Sequence, residues 1–273
     1  MNKSTFKETT MKLFTYSVRV LVTISILFLT ACSKDVDVIL DEIKANKACQ
    51  IARIHFNDPS GAYDGAFYYN SKGDPDSVIF DLVGTGFPNI FFVYDNKKDL
   101  TQAKLVYSNG TYEVWHRYGY TGKLITTDTA YTFGNANIEP EPNNYISKRI
   151  NYIEYDNAGR IVRETEDYVF PEMESVVRTY VYDDNGNLQV PGVDLQYDDK
   201  VNLHSLHVFW QFLGRDFSEN NPIEATVYNE SGLPLIFDTP PSDAPKYRFA
   251  GGSRSLERSV IKYDCKKAKD IYY

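Results

Sequence analysis

The sequence predicts an all-β fold, an antiparallel meander of hairpins forming a curved, barrel-like sheet, and three observations carry that prediction. The first is composition. In 273 residues, 22 Tyr and 16 Phe stand against 3 Met and 3 Cys, and aromatic side chains favour strands over helices. The second is a recurring unit: a β-rich run ending in Tyr, then Asp or Asn, a polar turn and another β-rich run. It stands at Tyr69-Asn70-Ser71-Lys72-Gly73, Tyr94-Asp95-Asn96-Lys97-Lys98, Tyr155-Asp156-Asn157-Ala158-Gly159, Tyr182-Asp183-Asp184-Asn185-Gly186 and Tyr228-Asn229-Glu230-Ser231-Gly232, with weaker copies at Tyr120, Tyr197 and Tyr263. The third is spacing. Most copies lie 25 to 35 residues apart, room for two strands joined by short connections, and short connections imply antiparallel neighbours.

Each unit has a physical reason. Asp or Asn at the first turn position accepts a hydrogen bond from the backbone ahead and closes the turn. Gly three residues later supplies the positive φ of a bulged hairpin loop, where a Cβ would clash. The β-branched and aromatic flanks then pair as strands. Charged residues make up 24% and apolar ones 42%, so a packed core is available and general disorder is excluded.

The first element is an address rather than a strand. Residues 1–31 have a basic front (Lys3, Lys7, Lys12, Arg19), an apolar stretch from Val20 to Leu29 and small residues after it, the layout of a secretory signal. The apolar stretch is about half the roughly twenty residues a membrane-spanning helix needs. Met11 followed by Lys12 is an equally good start to Met1. Leu29-Thr30-Ala31-Cys32 resembles a bacterial lipobox, which implies diacylglyceryl transfer to the Cys32 thiolate, cleavage before it and a membrane anchor through N-terminal lipid. Ser33-Lys34-Asp35-Val36-Asp37 is similar to the export tag of Bacteroidota surface lipoproteins, with Val36 interrupting the acidic pair. Together these imply the outer membrane, facing outward.

Removing residues 1–31 takes away those four basic residues and Glu8, leaving 25 basic and 36 acidic residues, a balance of −11. Such a surface excludes nucleic acid as a partner and disfavours anionic lipid heads. Residues 32–48 read as a tether, with Val36, Ile39, Leu40 and Ile43 at approximate helical spacing, and 49–273 as the β domain.

Within that domain, Ile223, Ala225 and Val227 alternate cleanly on one face. Val177, Thr179 and Val181 likewise oppose Arg178, Tyr180 and Tyr182. Arg149 to Tyr155 mixes polar and apolar residues on both faces, which predicts half-buried sheets. Charged Glu154, Arg178, Glu224 and Lys262 recur without a lipid-facing stripe, against a membrane-spanning barrel. From Leu203 to Phe217 the pattern changes. Leu203, Leu206, Trp210, Leu213 and Phe217 fall at three- and four-residue steps, predicting a short helix or compact loop whose apolar face packs on the sheet.

The Tyr-Asp turns, with Tyr197-Asp198-Asp199-Lys200-Val201-Asn202 and Ser218-Glu219-Asn220-Asn221-Pro222, resemble those of Bacteroidota YD-repeat-type lipoproteins, a group of unknown function with a porin-like β-sheet. The resemblance covers most of residues 49–273, and Leu203 stands where such chains would have Pro. It implies a fold and a cell address and brings no catalytic residues.

Little in the chain points to chemistry. Cys49 and Cys265 sit at the first and last predicted strands. In an oxidising envelope their pairing would close nearly the whole domain into one loop and staple a barrel seam, worth roughly 4–5 kcal/mol in the chain-entropy model. His204 and His207, with Asp198 and Asp199 upstream, could offer a metal site but lack a third ligand at a diagnostic spacing, so a packed or solvated pair is expected. Asp183 to Asn187 begins like a calcium loop, but no acidic residue closes the twelve-residue frame, so it is a hairpin turn. No nucleophile elbow, zinc-protease or phosphate-loop motif is present, and no cofactor or metal is expected. Ser77 and Thr129 sit in Asp-Ser-Val and Asp-Thr-Ala, candidate O-glycosylation acceptors. The expectation is a non-enzymatic module that displays Tyr-rich surface to a glycan or protein, with Trp115, Tyr118 and Tyr120 as the contact residues. The alternatives are a carrier of an apolar ligand inside the sheet and an envelope hydrolase using two carboxylates.

Overall fold

A computed structural model of the chain describes residues 49–58, 61–191, 193, 195–223, 225–238, 247–249 and 255–265. The signal segment, Cys32 and the tether lie outside the described residues. Ten strands come first: β1 (Cys49–Asp58), β2 (Gly61–Tyr69), β3 (Pro75–Phe80), β4 (Asn89–Tyr94), β5 (Leu100–Val106), β6 (Thr111–Thr121), β7 (Leu124–Asn135), β8 (Tyr145–Tyr155), β9 (Ile161–Phe170) and β10 (Glu172–Thr179). A small hairpin, β11 (Val181–Tyr182) and β12 (Leu188–Gln189), is followed by a 3-10 turn (Leu203–Leu206) and one helix, α1 (Val208–Gly214). The chain ends with β13 (Val227–Tyr228), β14 (Pro234–Asp238) and β15 (Arg258–Cys265).

Strands β1 to β10 lie side by side in chain order, and β15 returns to the free side of β1, followed by β14 and β13. The result is a 13-stranded antiparallel meander. It does not close: β10 and β13 are its two ends. The segment after β10 folds back across the inner face and occupies the room a barrel lumen would leave. Trp210 of α1 meets Phe67 of β2 and Phe92 of β4 edge-on, each at 5.7 Å, and Phe212 meets Tyr118 of β6 at 5.4 Å. Leu203, Trp210, Phe212 and Phe217 are buried, as the apolar spacing predicts. The 3-10 turn starts where the Asn202 side chain accepts from His204 N–H at 2.8 Å, and the helix where His207 Nδ1 accepts from Phe209 N–H at 3.2 Å. It stops at Arg215, whose φ is 53°.

Cys49 and Cys265 are directly opposite in the β1–β15 ladder and are disulfide-bonded. The bridge therefore lies within the sheet, between its chain-terminal strands, and not at a barrel seam. Two face assignments also differ from expectation. Val177 and Val181 are about half exposed, while Tyr180 and Tyr182 pack on the core. Among the described residues around Ile223, only Val227–Tyr228 forms a strand, with Ala225 buried and Val227 exposed. Alternation defines two faces, but the large Tyr rings bury more apolar area than valines and take the inner one.

The Tyr-Asp units that join β2 to β3, β4 to β5, β8 to β9 and β13 to β14 turn at one end of the sheet, and the Tyr182 unit closes the separate β11–β12 hairpin. In each full copy the Asx Oδ1 accepts from the N–H groups two and four residues on: Asn70 at 2.9 and 3.1 Å, Asp95 at 2.8 and 3.0 Å, Asp156 at 2.9 Å twice, Asp183 at 2.9 and 2.8 Å, Asn229 at 2.9 Å twice. Gly73, Gly159, Gly186 and Gly232 have φ between 74° and 91°, and Lys98 holds the same position at 80°.

The tyrosines add a second tie that the sequence pattern does not announce. Tyr94 donates to Pro75 O at 2.6 Å, Tyr120 to Leu100 O at 3.0 Å and Tyr155 to Ile125 O at 2.7 Å. Tyr182 donates to Ile161 O at 3.2 Å and Tyr263 to Pro234 O at 2.7 Å. Each acceptor lies five or six positions after the preceding Tyr, where its turn delivers the next strand. Each of these five hydroxyls thus binds the open end of a hairpin, whereas Tyr228 donates to Asp198.

Two predictions follow from these turns. Lys98→Gly relieves a left-handed side chain against a modest entropy cost and should raise stability by about 0.5–1 kcal/mol in urea unfolding. Burial pushes the Tyr120 and Tyr155 hydroxyls up to about 12. A raised folded value gives stability that is complete below the unfolded value near 10 and lost as pH climbs from there toward 12. Tyrosinate absorbance and circular dichroism should therefore change together in that window, whereas ionisation of these tyrosines without unfolding would contradict the hydroxyl ladder.

Candidate functional site

The residues singled out from the sequence are placed as follows. Trp115 is 1% and Tyr118 9% exposed, so the aromatic display surface expected there is not offered to solvent. They point to opposite sides of β6. Trp115 packs with Tyr112 and Tyr131 on the outer face, Nε1 donating to Gln102 Oε1 at 2.8 Å, with Lys104 Nζ 3.5 Å above its ring. Tyr118 packs beneath α1, and Tyr120 is half-buried with its hydroxyl used on Leu100 O. The expectation failed because strand aromatics in a wide sheet are covered by neighbouring strands and by α1.

His204 and His207 do not converge. His204 Nδ1 lies 3.2 Å from Asp216 Oδ2, and His207 Nε2 lies 3.5 Å from Asp74 Oδ1. Asp198 instead binds Asn221 and Tyr228, and Asp199 pairs with Lys200. No group of three metal-ligating side chains occurs among the described residues. Asp183 closes a hairpin turn. Ser77 is buried in β3, which closes it to a glycosylating enzyme in the folded chain, and Thr129 is half-buried in β7.

What the structure does bring together is a set of charges on the inner face. From β1 to β5 that face is apolar (Ile51, Ile54, Phe56, Phe67, Val78, Ile90, Phe92). From β6 to β10 it turns polar. One cross-strand row runs Tyr118, Asp128, Asn151, Glu166; a second runs His116, Ala130, Arg149, Tyr168; a third sets Ile153 beside Glu164 and Arg178. Arg215, at the end of α1, reaches down onto these rows.

The pairing is dense. Asp128 accepts from His116 Nδ1 at 2.8 Å and Arg215 Nη2 at 3.4 Å. Glu164 accepts from Arg215 Nη2 at 3.0 Å, Arg215 Nε at 3.3 Å and Tyr180 Oη at 3.1 Å. Glu166 accepts from Arg178 Nη1 at 2.5 Å and lies 3.4 Å from Arg149 Nε. Burial works to raise the Asp128 carboxyl, but His116 first and Arg215 after it outweigh burial and lower it. Burial likewise works against the Arg215 charge, and Glu164 and Asp128 hold it on.

These side chains line a cavity of about 240 Å³, walled on the other side by Ile90, Ala103, Leu105 and Leu213. Asn151, 6% exposed, faces it, and its Oδ1 is buried without a hydrogen-bond partner. Arg149 and Arg178, about a third and nearly half exposed, stand toward solvent. Chemically the cavity can accept hydrogen bonds at Asn151 and donate them from guanidinium groups. Asp128 and Glu164 converge on one arginine nitrogen, yet Asp128 is held ionised, so the proton a general acid would need is not kept there.

Sequence reasoning missed this site, although a signal exists. Glu164 and Glu166 sit two apart, hence on one face, and Arg149 and Asn151 lie at the same period of two as the buried Ile153 that pairs with Glu164. Charges at the period of a core face mark a polar pocket rather than a half-wetted sheet. By class, then, the domain is an open antiparallel sheet, packed on its inner face by a short helix, with a charged cavity open to solvent on that face. No protein-family model matches the chain, and no curated protein matches it.

Removing the arginine tests the electrostatic account. Arg215→Ala takes the shared cation from two buried carboxylates, leaving Asp128 to His116 and Glu164 to Tyr180 and Arg178, and should cost about 3 kcal/mol in urea unfolding. Adding Asp128→Asn and Glu164→Gln should recover part of that loss. No recovery would mean that Arg215 acts through packing alone.

Proposed function

We propose that the chain is a non-enzymatic binding module, held at the outer membrane through lipid on Cys32 and facing outward, that receives a small polar ligand in the inner-face cavity. The observation that carries this reading is the unpartnered Asn151 Oδ1 in a charged pocket, since a buried acceptor without a donor is costly and a ligand would supply one. The ligand can be free or the end of a glycan or protein chain. The buried positions of Trp115 and Tyr118 turn the reading away from a flat aromatic display surface. Against the apolar carrier stands the inner core itself, filled by Trp210, Phe212, Phe217, Phe237 and Phe249. Against the hydrolase stands the commitment of Asp128, Glu164 and Glu166 to arginines.

Native mass spectrometry of the full chain, isolated from its membrane fraction, tests the reading. A small polar adduct, lost when Ala103→Leu fills the cavity, supports it. A lipid-sized adduct would move the function to a carrier, and turnover of a chromogenic glycoside would move it to a hydrolase. Labelled palmitate should enter the wild-type chain and not Cys32→Ala.

A further inference from the structure

We infer that the cavity beneath α1 takes a neutral, hydroxyl-rich guest of about one sugar ring, through Asn151 and the guanidinium groups beside it. This rests on the cavity-binding reading above and narrows it to a ligand class. The first argument is charge. Asp128, Glu164 and Glu166 face Arg149, Arg178 and Arg215, each carboxylate already accepts from an arginine, and the His116 imidazole is taken up by Asp128. Every charged group in the set has a partner without a guest. A cation would meet three arginines, an anion three carboxylates, and either would bring its own desolvation cost with no spare counter-charge.

The second argument is hydrogen bonding. Asn151 lies between Asp128 and Glu166 in one cross-strand row, and its buried Oδ1 requires a donor. A neighbouring guanidinium carries five N–H groups and requires acceptors. A hydroxyl meets both needs with one atom, donating to Asn151 while accepting from an arginine. The third argument is shape. Ile90, Ala103, Leu105 and Leu213 form a wall for the C–H face of a ring. The volume of about 240 Å³ is that of about eight waters at their liquid share. It falls below the range for drug-sized ligands. Arg149 and Arg178, partly exposed, stand at the entrance, where a ring could arrive as the end of a longer chain.

Titration calorimetry on the full chain with glucose, galactose and N-acetylglucosamine tests this, with glucuronate, glucosamine and serine as anionic, cationic and zwitterionic probes. The expected result is binding of at least one neutral sugar and none of the charged probes, weakened about tenfold in Asn151→Ala, the loss of one hydrogen bond to a buried acceptor. Asn151→Asp keeps the acceptor and adds a negative charge, so it should move preference from glucose toward glucosamine. It serves as the second readout where the alanine variant melts too low. A charged or zwitterionic probe bound instead, in an Asn151-dependent way, overturns the ligand class and leaves cavity binding standing. Equal sugar binding by wild type and both variants overturns the site. No binding by any probe overturns the inference, and the polar adduct in native mass spectra then decides cavity binding separately.

Discussion

At the open end of each hairpin the backbone ladder runs out, and a carbonyl near a strand start needs a donor. Tyr94, Tyr120, Tyr155, Tyr182 and Tyr263 supply it from the far strand of the pair, their rings lying on the core side while the hydroxyl caps the edge. Each such bond is worth only about 0.5–1.5 kcal/mol net. The ring attached to it, however, buries apolar area and fixes where the turn begins. The Asx residue after the ring then closes the turn, and the turn delivers the next carbonyl to the next tyrosine. The repeat is therefore a chain of mutual dependence in which each unit positions the acceptor for its successor.

This device is local and cannot say how the sheet ends. That is decided by β15, which crosses back to β1 and carries Cys265 to Cys49. It is decided also by the segment after β10, which turns inward. Once Trp210, Phe212 and Phe217 occupy the inner face, the ends of the sheet have nothing to gain by meeting, and β10 and β13 remain edges. The small helix replaces barrel closure as the means of covering apolar strands.

The same helix couples the two halves of the inner face. Its aromatic residues pack on β2, β4 and β6, while Arg215 at its end binds β7 and β9 through Asp128 and Glu164. A charged cluster is a costly way to fill a core, and hydrophobic residues of similar volume commonly serve as well or better. Its dense charge pairing and the unanswered Asn151 Oδ1 give the β6–β10 region a character that packing alone does not require.

The sequence by itself determined the β class, the positions of the Tyr-Asx turns, the positive-φ glycines and the helical segment near Trp210, because these depend on hydrogen bonds and periodicities within a few residues. Tertiary structure decided which face of each strand turns inward. Val177, Thr179 and Val181 look like a core stripe, yet Tyr180 and Tyr182 take that side. Glu164 and Glu166 look like a wetted one, yet they are buried. A period of two separates two faces without naming either. What names them is the covering element, and α1 with Arg215 comes from some fifty residues further along the chain, at a distance no local pattern can encode.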